Sequence, residues 1–262
     1  MTTTTAQLDN FTRITPVLIV KNGAEHITHT LEALREFKQV VVYDNGSTDE
    51  TIVLASRFPN VQLVQGSFLG FGPTKNAAAA AAPTDWIFSL DVDERPTPEL
   101  LRTLASLPLD NPNWVGVVLR LNKFCGKIIR TNGWGNDWLT RIYNRQQHAF
   151  TPSMVHEKVA LQSQSRAERL RGGLEHEAIT NVGQMLNKTQ HYSELYAMSD
   201  KAKLYPFPII ILKTVFGFIR SYLVKLGFLS GSRGFILAAG EALGVFYKYT
   251  KVYQHRRFHK SL

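Results

Sequence analysis

Cysteine is almost absent from this chain: Cys125 is the only one in 262 residues. An internal disulfide is therefore excluded, and the composition suits a reducing compartment. Uncharged apolar runs are short. The longest in the C-terminal region, Leu204–Leu212, falls well below the ~20 residues of a spanning helix. The opening stretch, Met1–Thr15, is polar and threonine-rich and does not read as a secretory signal. No glycine loop closes on a Gly-Lys-Ser/Thr triplet, and Gly70-x-Gly72 lacks the third glycine of a dinucleotide fingerprint, which weakens ATPase and dehydrogenase readings. Acidic residues become scarce after residue 199. Beyond it, Asp200 and Glu241 face 11 Lys and Arg, whereas residues 1–199 hold 19 of each sign, so the tail carries the whole net charge of +9. A neutral body with a basic, apolar tail points to a membrane surface or a nucleic acid. No nucleic-acid module is present and the body is neutral, so we expect no nucleic-acid partner.

What is present in the first half is a strand–helix alternation. Ile14–Val20 predicts a strand ending in a Lys21-Asn22-Gly23 turn, and Ile27, Leu31, Leu34 and Phe37 recur at helical spacing. Gln39–Tyr43 predicts a second strand. Asp44-Asn45-Gly46-Ser47-Thr48-Asp49 follows, with Ser47 or Thr48 placed to cap a helix that runs to Phe58. Val61–Val64 predicts a third strand, and an alanine helix (Ala77–Ala82) stops at Pro83. Trp86–Leu90, bounded by Pro83 and Pro96, predicts a fourth, buried strand. The alternation indicates an α/β fold with a mostly parallel sheet, whose ligands bind beyond the carboxyl ends of the strands.

Three strands deliver polar groups to that edge: Lys21-Asn22, Asp44-Asn45 and Asp91-Val92-Asp93. On continuing strand geometry Asp91 and Asp93 point to one side. Two carboxylates that close repel unless a cation lies between them, and a divalent metal sharing substrate phosphates answers the need. Taken alone, the pattern equally fits a strand that exits into a solvated acidic turn. Lys75, after the Gly66/Gly70/Gly72 loop and in the first turn of the alanine helix, is placed to meet phosphate oxygens. The competing reading is a surface lysine on a helix that packs close to the sheet.

Asp44-Asn45-Gly46-Ser47-Thr48-Asp49, the Gly70-Phe71-Gly72-x-x-Lys75-Asn76 segment and Leu90-Asp91-Val92-Asp93-Glu94 resemble the first half of the family-two inverting GT-A glycosyltransferases. The spacing, with Lys21-Asn22 before and Val155-His156-Glu157 after, is similar to the lipopolysaccharide inner-core branch, the heptose β-glucosyltransferase type in particular. The resemblance covers residues 14–195. It implies a GT-A (Rossmann-like) mixed sheet flanked by helices, and a cofactor in the form of a divalent metal, Mg or Mn. It implies a nucleotide-sugar donor, with Asp44 at the uracil or ribose, Lys75 at the base or diphosphate and Asp93 as principal metal ligand. Asp91 would lie by the ribose or the metal, and Lys21-Asn22 at the donor edge. Glu157 would be the catalytic base, with His156 orienting it or touching phosphate. The family pattern also places an arginine at Arg141, reaching phosphates. The same resemblance makes the acceptor a lipid-linked oligosaccharide and the location the cytoplasmic face of the inner membrane. The turn after the first strand departs from the family's frequent Asn-Glu: here Asn22 is followed by Gly23-Ala24-Glu25.

The second half adds Trp114–Leu121 and Leu139–Tyr143 as strands after a Pro108–Pro112 connector. Between them, Trp134 and Trp138 either stack on a sugar face or pack under a long loop. Arg141 and Arg145 either reach phosphates or are solvated. His176 either completes the metal site or is an ordinary strand-edge histidine. Ser193–Leu204 has a helical pattern, and Ile209–Leu229 and Phe235–Tyr253 read as basic, aromatic interfacial helices of a membrane-associating region. They would equally pack on the body or on a second subunit. The expected division is 1–110 for the nucleotide-sugar half, 111–195 for the acceptor half and 196–262 for the tail. A nucleotidyltransferase would share the metal–nucleotide layout but needs a glycine-rich first turn, which Val17–Gly23 lacks. A non-catalytic membrane-bound sugar-nucleotide sensor would need no base.

Overall fold

A computed structural model describes residues 10–152 and 157–258. The chain forms two compact units. One comprises residues up to Arg120 together with Asp137–His176, and the other Leu121–Asn136 with Glu177–Leu262. The boundaries expected at 110 and 195 therefore fall elsewhere. The Pro108–Pro112 connector is only a turn inside the first unit, and two long strands run from one unit into the next.

The elements are β1 (Ile14–Val20), α1 (Ala24–Ala33), β2 (Val40–Asp44), α2 (Thr51–Ala55), β3 (Val61–Gln65), α3 (Phe71–Ala80), β4 (Trp86–Asp91), β5 (Glu94–Pro96) and α4 (Pro98–Leu104). Then come β6 (Trp114–Phe124), β7 (Lys127–Ile128), β8 (Trp138–Asn144), β9 (Arg166–Ile179), α5 (Val182–Ala197), α6 (Phe207–Ile219) and α7 (Gly231–Arg257). The sheet order is β3-β2-β1-β4-β8-β6-β9-β5, with β7 on the end of β6. The first four are parallel; β8 runs antiparallel to β4 and to β6, and β5 antiparallel to β9. The fold is the expected α/β mixed sheet flanked by helices.

Side-chain alternation splits the core of the first unit into two layers. Leu18, Val40, Val42, Phe88 and Leu90 face one way, against α1 and α4 through Ile27, Leu31, Leu100 and Leu104. Val17, Val41, Tyr43, Ile87 and Tyr143 face the other, against Ala78, Ala79 and Ala82. Both faces are covered, which is why β2 reads as a continuous apolar run. The alternation carries on into the site. Asp91 lies four residues past Ile87 on the same strand, and so points to the alanine-helix side. Lys75 precedes Ala78 and Ala79 by three and four, so it lies on the sheet-facing stripe of α3. Helix α3 starts at Phe71, with Gly70 as its N-cap, which places Lys75 in the second turn rather than the expected first. Its neighbour in that stripe, Gly72, allows a close approach: a Cβ there would lie 1.9 Å from Thr151 O.

Three other expectations shift. Helix α2 is short, and its N-cap Glu50 makes no side-chain cap bond. Ser47 and Thr48 do not cap it because they bond Asn22 instead. Strand β9 was not anticipated. It is rich in charge, with only Leu170 and Leu174 deeply buried among its long side chains, so no period-2 apolar signal marks it. Helix α5 starts earlier than the expected Ser193, capped by Asn181, whose side chain accepts from Gln184 N at 2.8 Å.

In the second unit α7 packs on α5 and α6. A π-turn (Arg220–Val224) extends α6, and a 3-10 turn (Gly227–Ser230) leads into α7. Together, Phe207–Val224 form one 18-residue helix of mean hydropathy 1.6, long and apolar enough by length and composition to cross a membrane. Counting only uncharged residues hid this length, because Lys213 and Arg220 interrupt the run without ending the helix. Most of its apolar side chains are exposed, including Leu212, Phe216 and Val224.

Candidate active site

Strand register brings the acidic groups to one edge. Val20 pairs with Asp44 and Ile19 with Asp91, so the two aspartates end the strands on either side of β1. The Asp44 carboxylate is buried and accepts from Gly46 N at 3.1 Å and Ser47 N at 3.2 Å. These bonds fix its direction at the edge. Asn22 has a left-handed backbone (φ +54°), a conformation asparagine tolerates. Its side-chain oxygen accepts from Thr48 N at 2.8 Å, and its N–H donates to Ser47 Oγ at 2.9 Å. Asn22 thus stitches the turns after β1 and β2 together. Lys21 beside it is exposed.

Lys75 is the centre of the site. Its Nζ is 2.9 Å from Asp91 Oδ1 and 2.9 Å from Glu157 Oε1, with the side chain only 5% exposed. It also lies 5.2 Å from the Phe150 ring centroid. The sequence left a surface lysine as an alternative; burial rules that out. Asp91 is held on its other oxygen by Arg141, whose Nη2 is 2.9 Å from Oδ2. Both oxygens of Asp91 therefore face cations of the protein. Asp91, expected beside the ribose or the metal, is thus engaged by an ammonium and a guanidinium of the protein. Burial alone would raise the Asp91 carboxyl, but the charges of Arg141 and Lys75 outweigh it and hold it far below the ordinary range.

Arg141 also grips Glu94, whose side chain is fully buried. Glu94 Oε2 accepts from Asp91 N at 3.0 Å, and Arg120 Nη1 approaches Oε1 at 3.6 Å. Burial outweighs these cations and pushes the Glu94 carboxyl up. The Nε of Arg141 is buried without a hydrogen-bond partner among the described residues. Glu94 was not among the expected site residues, although it stands in the same acidic run; its role needs Arg141, fifty positions later than Asp91.

Glu157 is delivered by a second set of bonds. The side chain of Asn76 donates to Phe150 O at 2.9 Å and accepts from Phe150 N at 2.8 Å. Phe150 in turn bridges Val159, and Thr151 N donates to Lys158 O at 2.9 Å. Asn76 thereby anchors the segment that carries Glu157 to the helix that carries Lys75. His156, expected to orient Glu157, lies outside the described residues.

Asp93 and His176 meet at 3.3 Å between Oδ2 and Nε2, an approach made by the β5–β9 pairing of Glu94 with His176. Burial would raise Asp93, but the hydrogen bond and charge of His176 bring it below the ordinary range. Among the described residues no group of three or more His, Cys, Asp or Glu could hold an ion unaided. One carboxylate and one imidazole do suit a hard divalent cation that brings phosphate oxygens and water with it.

Three other candidates have structural partners. Arg145 Nη1 donates to Ala79 O and Ala82 O at 2.8 Å and Ala80 O at 3.1 Å, capping the end of α3. Trp138 is covered by the Arg169 guanidinium at 4.7 Å. Trp134 packs edge-on against Phe124, 6.5 Å between centroids, in the second unit.

The Asp91 network has a pH signature. Asp91 stays ionised to lower pH in the folded chain than in the unfolded one. Its contribution is whole above the ordinary aspartate pKa of about 3.9 and is lost as pH falls below that. Asp91→Asn should cost roughly 3 kcal/mol near neutrality, since it leaves two buried cations short of a partner. The gap between wild type and variant, measured by denaturant unfolding, should narrow from pH 5 to pH 2.5. A gap independent of pH would contradict the assignment.

The residues that build this edge lie within a wider likeness. Residues 16–162 match the family model described as "Glycosyl transferase family 2". An uncharacterized glycosyltransferase of Rickettsia prowazekii is 22% identical over 244 residues, covering 86% of this chain and 81% of its own length. A lipopolysaccharide core biosynthesis glycosyltransferase, LpsC of Rhizobium meliloti, is 24% identical over 245 residues, covering 90% of each. Among solved structures, residues 1–349 of TarS from S. aureus with UDP align with a TM-score of 0.46 at 16% identity, covering 94% of this chain and 92% of that one. The family match runs from within β1 through the Glu157 segment and takes in Lys75, Asp91, Glu94 and Arg141 but not His176, and on that ground the chain belongs to glycosyl transferase family 2 and is a glycosyltransferase.

Proposed function

We propose that this enzyme transfers glucose from a UDP-linked donor, with inversion, to a heptose hydroxyl of a lipid-anchored inner-core glycan. The observation that carries the reading is the Lys75 bridge, which holds Glu157 at the same sheet edge as Asp44, Asp91 and Asp93. Lys75 engages Oε1 of Glu157, and Oε2 takes the proton of the acceptor hydroxyl. The freed oxygen attacks the anomeric carbon as the bond from that carbon to the diphosphate breaks, and the nucleoside diphosphate leaves with the electron pair. Asp44 orients the nucleoside, Lys21 meets donor phosphate, and Arg141, held between Asp91 and Glu94, positions Asp91 at the edge. Asp93 and His176 would hold a divalent cation, which supplies charge neutralisation for the leaving diphosphate. The donor identity and the heptose acceptor follow the family resemblance, and a lipopolysaccharide-core setting is in keeping with LpsC, 24% identical.

The tail supports a peripheral site of action on the cytoplasmic face of the inner membrane. Leu212, Phe216, Leu223, Val224 and Leu229 are each more than half exposed. Lys213, Arg220 and Lys225 stand among them. An aromatic and aliphatic face with basic groups at its margin suits an anionic leaflet, where each cation contributes about 1 kcal/mol.

Glu157→Gln should lower kcat by about 10²- to 10⁴-fold while metal-dependent binding of UDP, read by calorimetry, persists. Unchanged turnover would remove Glu157 as the base. For the tail, the protein should float with vesicles containing phosphatidylglycerol, and Leu212→Glu with Phe216→Glu should abolish flotation. Flotation that survives both substitutions, or that resists alkaline carbonate, would contradict peripheral docking through this face.

A further inference from the structure

We propose that the second unit holds a binding site for one acyl chain of an anionic phospholipid. The proposal rests on the membrane reading above and extends it from an exposed face to a defined pocket. A cavity of about 570 Å³ opens between α5 and α7, within the roughly 300–1,000 Å³ usual for ligand sites. Hydrocarbon and aromatic rings make most of its wall: Trp134, Met185, Tyr192, Tyr196, Leu237 and Val245.

Several polar groups in that wall already have partners within the unit. Asn132 Nδ2 donates to Ser221 Oγ and to Gly234 O, both at 3.0 Å. Ser193 Oγ donates to Gln190 O at 2.9 Å, and Lys188 Nζ donates to Ala178 O at 2.7 Å. Glu241 pairs with Arg220 and, at 3.8 Å, with Lys225. A sugar ring entering this space would give up water and find few new hydrogen bonds, an unfavourable exchange. A hydrocarbon chain gives up no such bonds and gains burial.

Charge selects the headgroup. Lys188 and Lys248 belong to the lining, and Lys248 Nζ lies 3.9 Å over the Tyr196 ring. Glu241 is the single carboxylate of the lining among the described residues, and its two cationic partners neutralise it. A phosphate outside the pocket therefore meets a positive rim. The exposed apolar face of α6 brings the same unit to the leaflet that supplies such lipids.

Two glycines of α7 give a clean test. A Cβ at Gly240 would lie 2.7 Å from Met185 Sδ, so that position holds α5 and α7 together. At Gly244 the nearest atom to a Cβ would be Thr189 Cγ2 at 3.8 Å. A side chain at 244 has room to enter the cavity, and replacing a helical glycine favours the helix. Full-length protein is titrated with lysophosphatidylglycerol brominated on its chain, below its micellar concentration, while tryptophan fluorescence is followed. Saturable quenching that Trp134→Phe removes is expected, with at least tenfold weaker affinity in Gly244→Leu. Absence of saturable quenching, or an unchanged affinity in Gly244→Leu, overturns the proposal. Leu212→Glu should leave this titration unaltered, and quenching retained without vesicle flotation upholds the pocket while removing the membrane reading.

Discussion

A buried ammonium needs a counter-charge, and here it finds two. Lys75 lies on the sheet-facing stripe of a helix, between Gly72 on one side and Ala78 and Ala79 on the other. An unpaired cation in that place would be strongly unfavourable. Asp91 and Glu157 compensate it from separate parts of the sequence, one at the end of β4, the other on a segment 66 positions later. The bridge therefore decides more than local stability. It engages one oxygen of Asp91 and sets the orientation of Glu157. Arg141 repeats the logic on the far side of Asp91, joining it to the fully buried Glu94. The edge is a relay of alternating charges: Glu157, Lys75, Asp91, Arg141, Glu94.

Such a relay keeps Asp91 ionised and pre-oriented at the edge. It also separates tasks between groups that look alike in sequence. Asp91 and Asp93 are two residues apart, yet the first faces protein cations and the second faces an imidazole. Asn76 adds a mechanical link, since its paired bonds to Phe150 tie the Glu157 segment to the helix that positions Lys75. In the second unit several polar groups between α5 and α7, Asn132, Ser193 and Lys188 among them, bond within the unit, and hydrocarbon and aromatic rings make most of the wall there.

Much of this was legible before the structure. The four parallel strands, the alanine helix and the acidic strand end announce themselves through periodicity and punctuation, because local chemistry dictates them. Lys75, Asp44, Asp93, Arg141 and Glu157 were all singled out as candidates, and the family resemblance drew them towards one site. What stayed hidden depends on distant partners. Nothing near Arg145 in sequence says that it caps α3, and nothing near Asn22 says that it stitches two turns. Glu94 sat in plain view, but its burial follows from a strand pairing with β9, whose charged sequence gives no apolar alternation. The helical register of Lys75 was readable from Ala78 and Ala79, and taking that stripe seriously would have excluded the surface reading.

The central claim is that Lys75 couples Asp91 energetically to Glu157. It is tested most directly by unfolding free energies of Asp91→Asn, Glu157→Gln and the double substitution, each measured with Lys75 present and with Lys75→Met. With the lysine, the two substitutions should be non-additive by about 0.5–3 kcal/mol; without it, they should add to within about 0.5 kcal/mol. Additivity in both backgrounds would contradict the account.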